Sequence, residues 1–100
     1  GLNVFPEEVE TILMAHSEVD EAAVIGVKDT YWGEIPIAVI KGTASKRALR
    51  KLCRDSLSSY KLPRQWYFVE EMTYTTSGKI ARMQVKQLVE TEVKLKLIEQ

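Results

Sequence analysis

Two apolar runs lying close together constrain this chain more than anything else in it. Val19 to Val27 is rich in valine, isoleucine and alanine, and Ile35 to Ile40 is a second run with β-branched residues. Both are too short for typical helices and read as strands. The polar connection Lys28-Asp29-Thr30-Tyr31-Trp32-Gly33-Glu34 is short enough to favour an antiparallel hairpin over a crossover. Pro36 cannot donate to a ladder, so it is expected at a strand start or on an edge.

Helical patterns flank the hairpin. Pro6 suits the first position of a helix, and Glu7 and Glu8 suit the positive end of its dipole. Val9, Ile12 and Leu13 then give one buried face, with an end expected near His16-Ser17. After a turn over Gly42 to Ser45, Ser45 reads as the N-cap of a helix to about Leu57, with Leu49, Leu52 and Cys53 facing the core. Lys46 and Arg47 sit at the wrong end of that dipole, at a cost of a few tenths to about 1 kcal/mol. Leu62-Pro63 breaks the helix, and Trp66 to Glu70 reads as a third strand. Thr73 to Gly78 is a hydroxyl-rich turn, and Lys79 opens or precedes a last helix with Val85, Leu88, Val89 and Val93 at helical spacing. From Val93 the residues alternate as in a strand, so a helix and an irregular tail over 93–100 both fit. The order α, β, β, α, β, α predicts an α+β domain, a small three-stranded sheet with helices packed on it.

Bulk properties exclude several functions. Lys plus Arg and Asp plus Glu each number 14, and a nucleic-acid binder would carry a basic excess. No apolar run approaches the length of a membrane span. The first residues lack the pattern of a signal peptide, and the single cysteine, Cys53, fits a reducing compartment, so a cytoplasmic location is expected. Cys53 lies on an apolar helix face and reads as a core residue. His16 has no partner at metal-ligand spacing, and no metal site is expected.

Thr75-Thr76-Ser77-Gly78-Lys79-Ile80-Ala81-Arg82 is the segment with most chemistry. A glycine beside a lysine allows a sharp turn with an exposed ammonium, and the hydroxyls and cation could receive a phosphate or carboxylate. A solvated turn capping the last helix fits these residues as well and is the commoner outcome. The segment is not a P-loop, which needs glycine at Thr73 and Ser or Thr at Ile80. Tyr31-Trp32-Gly33 could anchor a ligand or simply pack its loop. Lys46, Arg47, Arg50, Lys51 and Arg54 form a basic stripe that could meet phosphates, although such stripes are more often solvated.

Three segments, in order and with matching spacing, resemble the C-terminal domain of the adenylate-forming superfamily. That superfamily holds acyl- and aryl-CoA synthetases, firefly luciferase and the adenylation domains of peptide synthetases. The segments are Gly1-Leu2-Asn3-Val4-Phe5-Pro6-Glu7-Glu8-Val9-Glu10; Ala23-Val24-Ile25-Gly26-Val27-Lys28-Asp29 with Trp32-Gly33-Glu34; and Tyr60-Lys61-Leu62-Pro63-Arg64 with Thr75 to Arg82. The family usually has proline at Lys28 and leucine-proline at Met72-Thr73; both are turn positions and leave Gly78-Lys79 intact.

The resemblance, closest to acyl-CoA synthetases, implies that residues 1–100 are the C-terminal lid domain of an ATP-dependent acid–thiol ligase. In that family a carboxylic acid attacks the α-phosphate of Mg-ATP, and a thiol, usually coenzyme A, then displaces AMP. The resemblance makes Lys79 the catalytic lysine of the first step, with Thr75, Thr76, Ser77, Gly78 and Arg82 as its supporting loop. Gly1, Trp32 and Tyr60 are implied contacts for coenzyme A. It implies domain alternation between the steps, with the domain's own large N-terminal partner and the carboxylic acid as what it meets. ATP with Mg2+ and coenzyme A would belong to the full-length enzyme, none being held by this fragment alone, which is expected to be inactive. An adenylation domain loading a carrier-protein thiol and a non-catalytic interaction module are the alternatives. Acylation of Lys79 would remove its charge and switch the step off.

Overall fold

The hairpin forms and reaches beyond both apolar runs. A computed structural model describes residues 4–99, with side chains described through residue 92. In it β1 spans Val19–Asp29 and β2 spans Gly33–Gly42. They pair antiparallel from Asp29↔Gly33 at the tip to Val19↔Gly42 at the base, with a register shift between Val19 and Glu21. The connection is therefore Thr30-Tyr31-Trp32, shorter than the polar stretch suggests. Asp29 tightens it: its Oδ1 accepts from the amides of Tyr31 at 2.8 Å and Trp32 at 2.9 Å.

The third strand, β3 (Gln65–Val69), runs parallel to β2 in the order β1-β2-β3. A parallel neighbour needs a crossover, which the helix α2 (Lys46–Ser56) provides. Ser45 caps α2 as expected, its Oγ accepting from Ala48 N at 3.1 Å. Pro36 thus lies in the central strand, yet only near its start. Its carbonyl accepts from Arg64 N at 2.8 Å, so its missing donor faces the β3 side, where pairing begins only at Ile37.

The first helix, α1, spans Pro6–Met14 and ends just short of His16. The last helix, α3, spans Arg82–Glu99, so the backbone of 93–99 is helical. Both faces of the sheet are covered. On one side Val24, Ala38 and Ile40 pack with Val9 and Leu13 of α1 and Leu49 and Cys53 of α2. On the other, Ile25, Ile37 and Val39 pack with Met72 and with Val85 and Val89 of α3. Two covered faces explain why the strands read as continuous apolar runs and not as alternating ones. Leu13, Ile40 and Leu49 are each 0% exposed, and each contributes roughly 1.5–3 kcal/mol by burial. Leu88, one of the residues at helical spacing, is exposed: the i, i+4 row Ala81, Val85, Val89 is the one turned inward. Among the described residues no helix is long and apolar enough to cross a membrane.

Candidate functional site

Between β3 and α3 the chain makes a small excursion that ends in Lys79. Ala81 N donates to Thr73 O at 2.9 Å, Tyr74 bridges Ile80, and Thr75 N donates to Lys79 O at 2.7 Å. Gly78 N returns to Thr75 O at 3.0 Å, closing the turn. Gly78 has φ +85°, where residues with a Cβ are strained, and open space surrounds it. Glycine is there for its backbone, not for room.

The hydroxyls brace this loop from within. Lys79 N donates to Thr75 Oγ1 at 3.3 Å, and Thr75 Oγ1 meets Ser77 Oγ at 3.0 Å. Thr75, Ser77, Gly78 and Lys79 therefore form one unit, with Thr76 exposed at its tip. The Lys79 side chain is exposed and forms no ion pair with any described residue. An exposed, unpaired ammonium on a braced turn can enter a cavity in another body and supply one positive charge there.

Arg82 turns away from Lys79. Its guanidinium forks onto both carboxylate oxygens of Glu10 on α1, and Nη1 also donates to Val24 O at 3.3 Å. Glu10 Oε2 accepts from Val24 N at 2.7 Å, so the pair closes the outer edge of β1 at that residue. The Glu10 hydrogen bonds raise the pKa of Arg82. The sequence displayed Glu10 only as the end of the first family-like segment, with nothing to link it to Arg82, 72 positions away.

Of the residues implied for coenzyme A, Gly1 lies outside the described residues. Trp32 is 59% exposed at the hairpin tip, edge-on to Tyr31, with the Arg64 guanidinium 4.8 Å above its ring. Tyr60 is 65% exposed on a 3-10 turn, Ser59–Lys61, with Phe5 edge-on at 5.7 Å. Lys61 lies over both rings and donates to both oxygens of Glu8 at 2.8 Å, bonds that raise its pKa. Trp32 and Tyr60 thus each have a cation beside them. Arg64 emerges as a partner of Trp32 that the sequence displayed only as part of a motif.

Elsewhere, Lys46, Arg47, Arg50 and Arg54 line an open concavity on α2, while Lys51 pairs with Asp55 at 2.8 Å. An apolar cleft of 210 Å³ between β3 and α3 is lined by Val39, Phe68, Met72, Val85 and Leu88, and by Thr73 where the Lys79 excursion starts. Among the described residues no group of three or more His, Cys, Asp or Glu could hold a metal ion.

A sequence profile described as the AMP-binding enzyme C-terminal domain matches residues 8–79. An uncharacterized acyl–CoA ligase of Bacillus subtilis (strain 168) is 51% identical over 96 residues, covering 96% of this chain and 20% of that protein. The 2-succinylbenzoate–CoA ligase of Geobacillus sp. (strain WCH70) is 40% identical over 93 residues, covering 89% of this chain and 19% of that protein. Among solved structures, the Mycobacterium tuberculosis fatty acyl CoA synthetase superposes with a TM-score of 0.81 at 32% identity, over 85% of this chain and 18% of that one. The chain spans about a fifth of the length of the curated relatives it matches.

Proposed function

Because this chain belongs to the AMP-binding enzyme C-terminal domain family, we propose that it is the lysine-bearing domain of an AMP-forming acid–thiol ligase. The observation that carries this reading is Lys79, an exposed ammonium without an ion-pair partner among the described residues, held on a turn braced by Thr75, Ser77 and Gly78. Similarity to acyl–CoA ligases supports coenzyme A over a carrier protein as the thiol.

Adenylation brings a carboxylate against a phosphate, and both are anions. A cation between them offsets the repulsion and stabilises charge that grows in the transition state. Lysine suits this task as a compact charge on a long stem, and the braced turn limits how much freedom is lost on entry. On this reading Lys79 acts in a site built by the large domain, and the domain is inactive alone. For the thiol step the domain turns as a rigid body and presents another face. There Trp32 with Arg64, and Tyr60 with Lys61, offer aromatic surfaces beside cations, which suit the adenine and phosphates of coenzyme A.

The test uses the full-length enzyme with a panel of acids that includes octanoate, benzoate and 2-succinylbenzoate. Pyrophosphate release reports the first half-reaction, and thioester formation from supplied acyl-adenylate reports the second. Release that requires Lys79 supports the reading; no release with any fatty or aryl acid contradicts it.

A further inference from the structure

Glu10 closes the first family-like segment with no role assigned to it, yet its carboxylate joins three elements. It projects from α1, accepts the amide of Val24 on the outer edge of β1, and takes the full fork of Arg82, the first residue of α3. The Glu10 side chain is only 13% exposed. Arg82 follows Lys79 by three positions, and Ala81 between them is tied to Thr73. At the other end of the loop Tyr74 Oη donates to Glu21 Oε2 of β1 at 3.5 Å. Both ends of the Lys79 turn are thus fastened to the same strand edge.

We infer that Glu10 is a positioning residue for adenylation, acting through Arg82 to set where the Lys79 turn leaves the domain. The inference rests on the proposed role of Lys79. The reasoning is one of geometry over stability. An ion pair between a mostly buried carboxylate and a guanidinium whose side chain is 43% exposed adds little net stability, because water screens the exposed partner and desolvation of the buried one offsets the attraction. What apolar residues cannot reproduce is direction. A two-point fork with a third bond to a strand amide fixes the orientation of the guanidinium, and with it the first turn of α3. Lys79 needs that definition because its ammonium works at the end of a long stem inside another body. A displacement of about 1 Å at a reacting centre can cost on the order of a hundredfold in rate.

The test is the double variant Glu10→Gln/Arg82→Met in the full-length enzyme, which removes both charges but keeps an acceptor for Val24 N. Arg82→Lys, which keeps the charge and loses the fork, and Lys79→Ala accompany it. The expected result is a loss of about tenfold or more in pyrophosphate release. Thioester formation from supplied acyl-adenylate should stay within about twofold of the parent, and the melting temperature close to it. Arg82→Lys should lose an intermediate amount. Hydrogen exchange should rise in the peptide spanning residues 73–85 whatever acid is used. Unchanged exchange there, unchanged pyrophosphate release, or parallel loss of both half-reactions with melting temperature would overturn the inference. If Lys79→Ala loses adenylation while the double variant does not, only this inference fails. If Lys79→Ala keeps it, the reading of Lys79 fails first.

Discussion

Thr75 and Lys79 meet twice, once through Thr75 N to Lys79 O at 2.7 Å and once through Lys79 N to Thr75 Oγ1 at 3.3 Å. This double contact makes a tight turn of a stretch that would otherwise be an exposed loop. It also means that the Thr75 and Ser77 hydroxyls serve the turn, while the ammonium of Lys79 stays exposed and forms no ion pair with a described residue.

The turn depends on Gly78 at φ +85°. Gly78→Ala meets no atom within 4 Å, so its whole cost is conformational, about 1–2 kcal/mol. The turn should relax locally and carry Lys79 with it. Pyrophosphate release by the variant should fall about tenfold, well beyond any loss in thioester formation from supplied acyl-adenylate.

Gly42 tests the fold and not the site. A Cβ there would lie 2.2 Å from Glu18 O, a carbonyl that already accepts from Thr43 at 2.9 Å and Ala44 at 3.2 Å. Backbone cannot swing aside as a side chain can. Gly42→Ala should therefore destabilise by about 3 kcal/mol or more, read from urea denaturation of the chain.

Cys53 is 1% exposed, and burial pushes its thiol from 9.0 up to about 11. The folded state therefore keeps the proton at pH values where the unfolded chain loses it. Stability from this group is intact below about pH 9 and falls as pH rises from there toward 11. At pH 8 a disulfide reagent should modify Cys53 slowly in the folded chain and rapidly in urea.

The order of elements was legible because each carries its own local signal. Pro6 with Glu7 and Glu8 opens α1, Ser45 caps α2, and the apolar runs of β1 and β2 sit too close for anything but a hairpin. What was not legible depends on partners distant in sequence. The parallel direction of β3 follows from how α2 crosses the sheet, and Pro36 can sit in a central strand only because β3 starts one residue later. Lys79 was legible as a lysine on a polar turn, and the resemblance of the surrounding motifs gave it a role. Glu10 was not, since no spacing rule links it to Arg82, 72 positions away. Lys46 and Arg47 stand against the α2 dipole with no ion pair among the described residues, and nothing in the fold explains them.

The most direct measurement of the central claim compares the two half-reactions in Lys79→Ala full-length enzyme. The account predicts pyrophosphate release reduced by about a hundredfold to a thousandfold, the scale of losing one charge-stabilising donor. Thioester formation from supplied acyl-adenylate should stay within a few-fold of the parent, because that step uses another face of the domain. Equal losses in both steps, or adenylation at the parent rate, would contradict it.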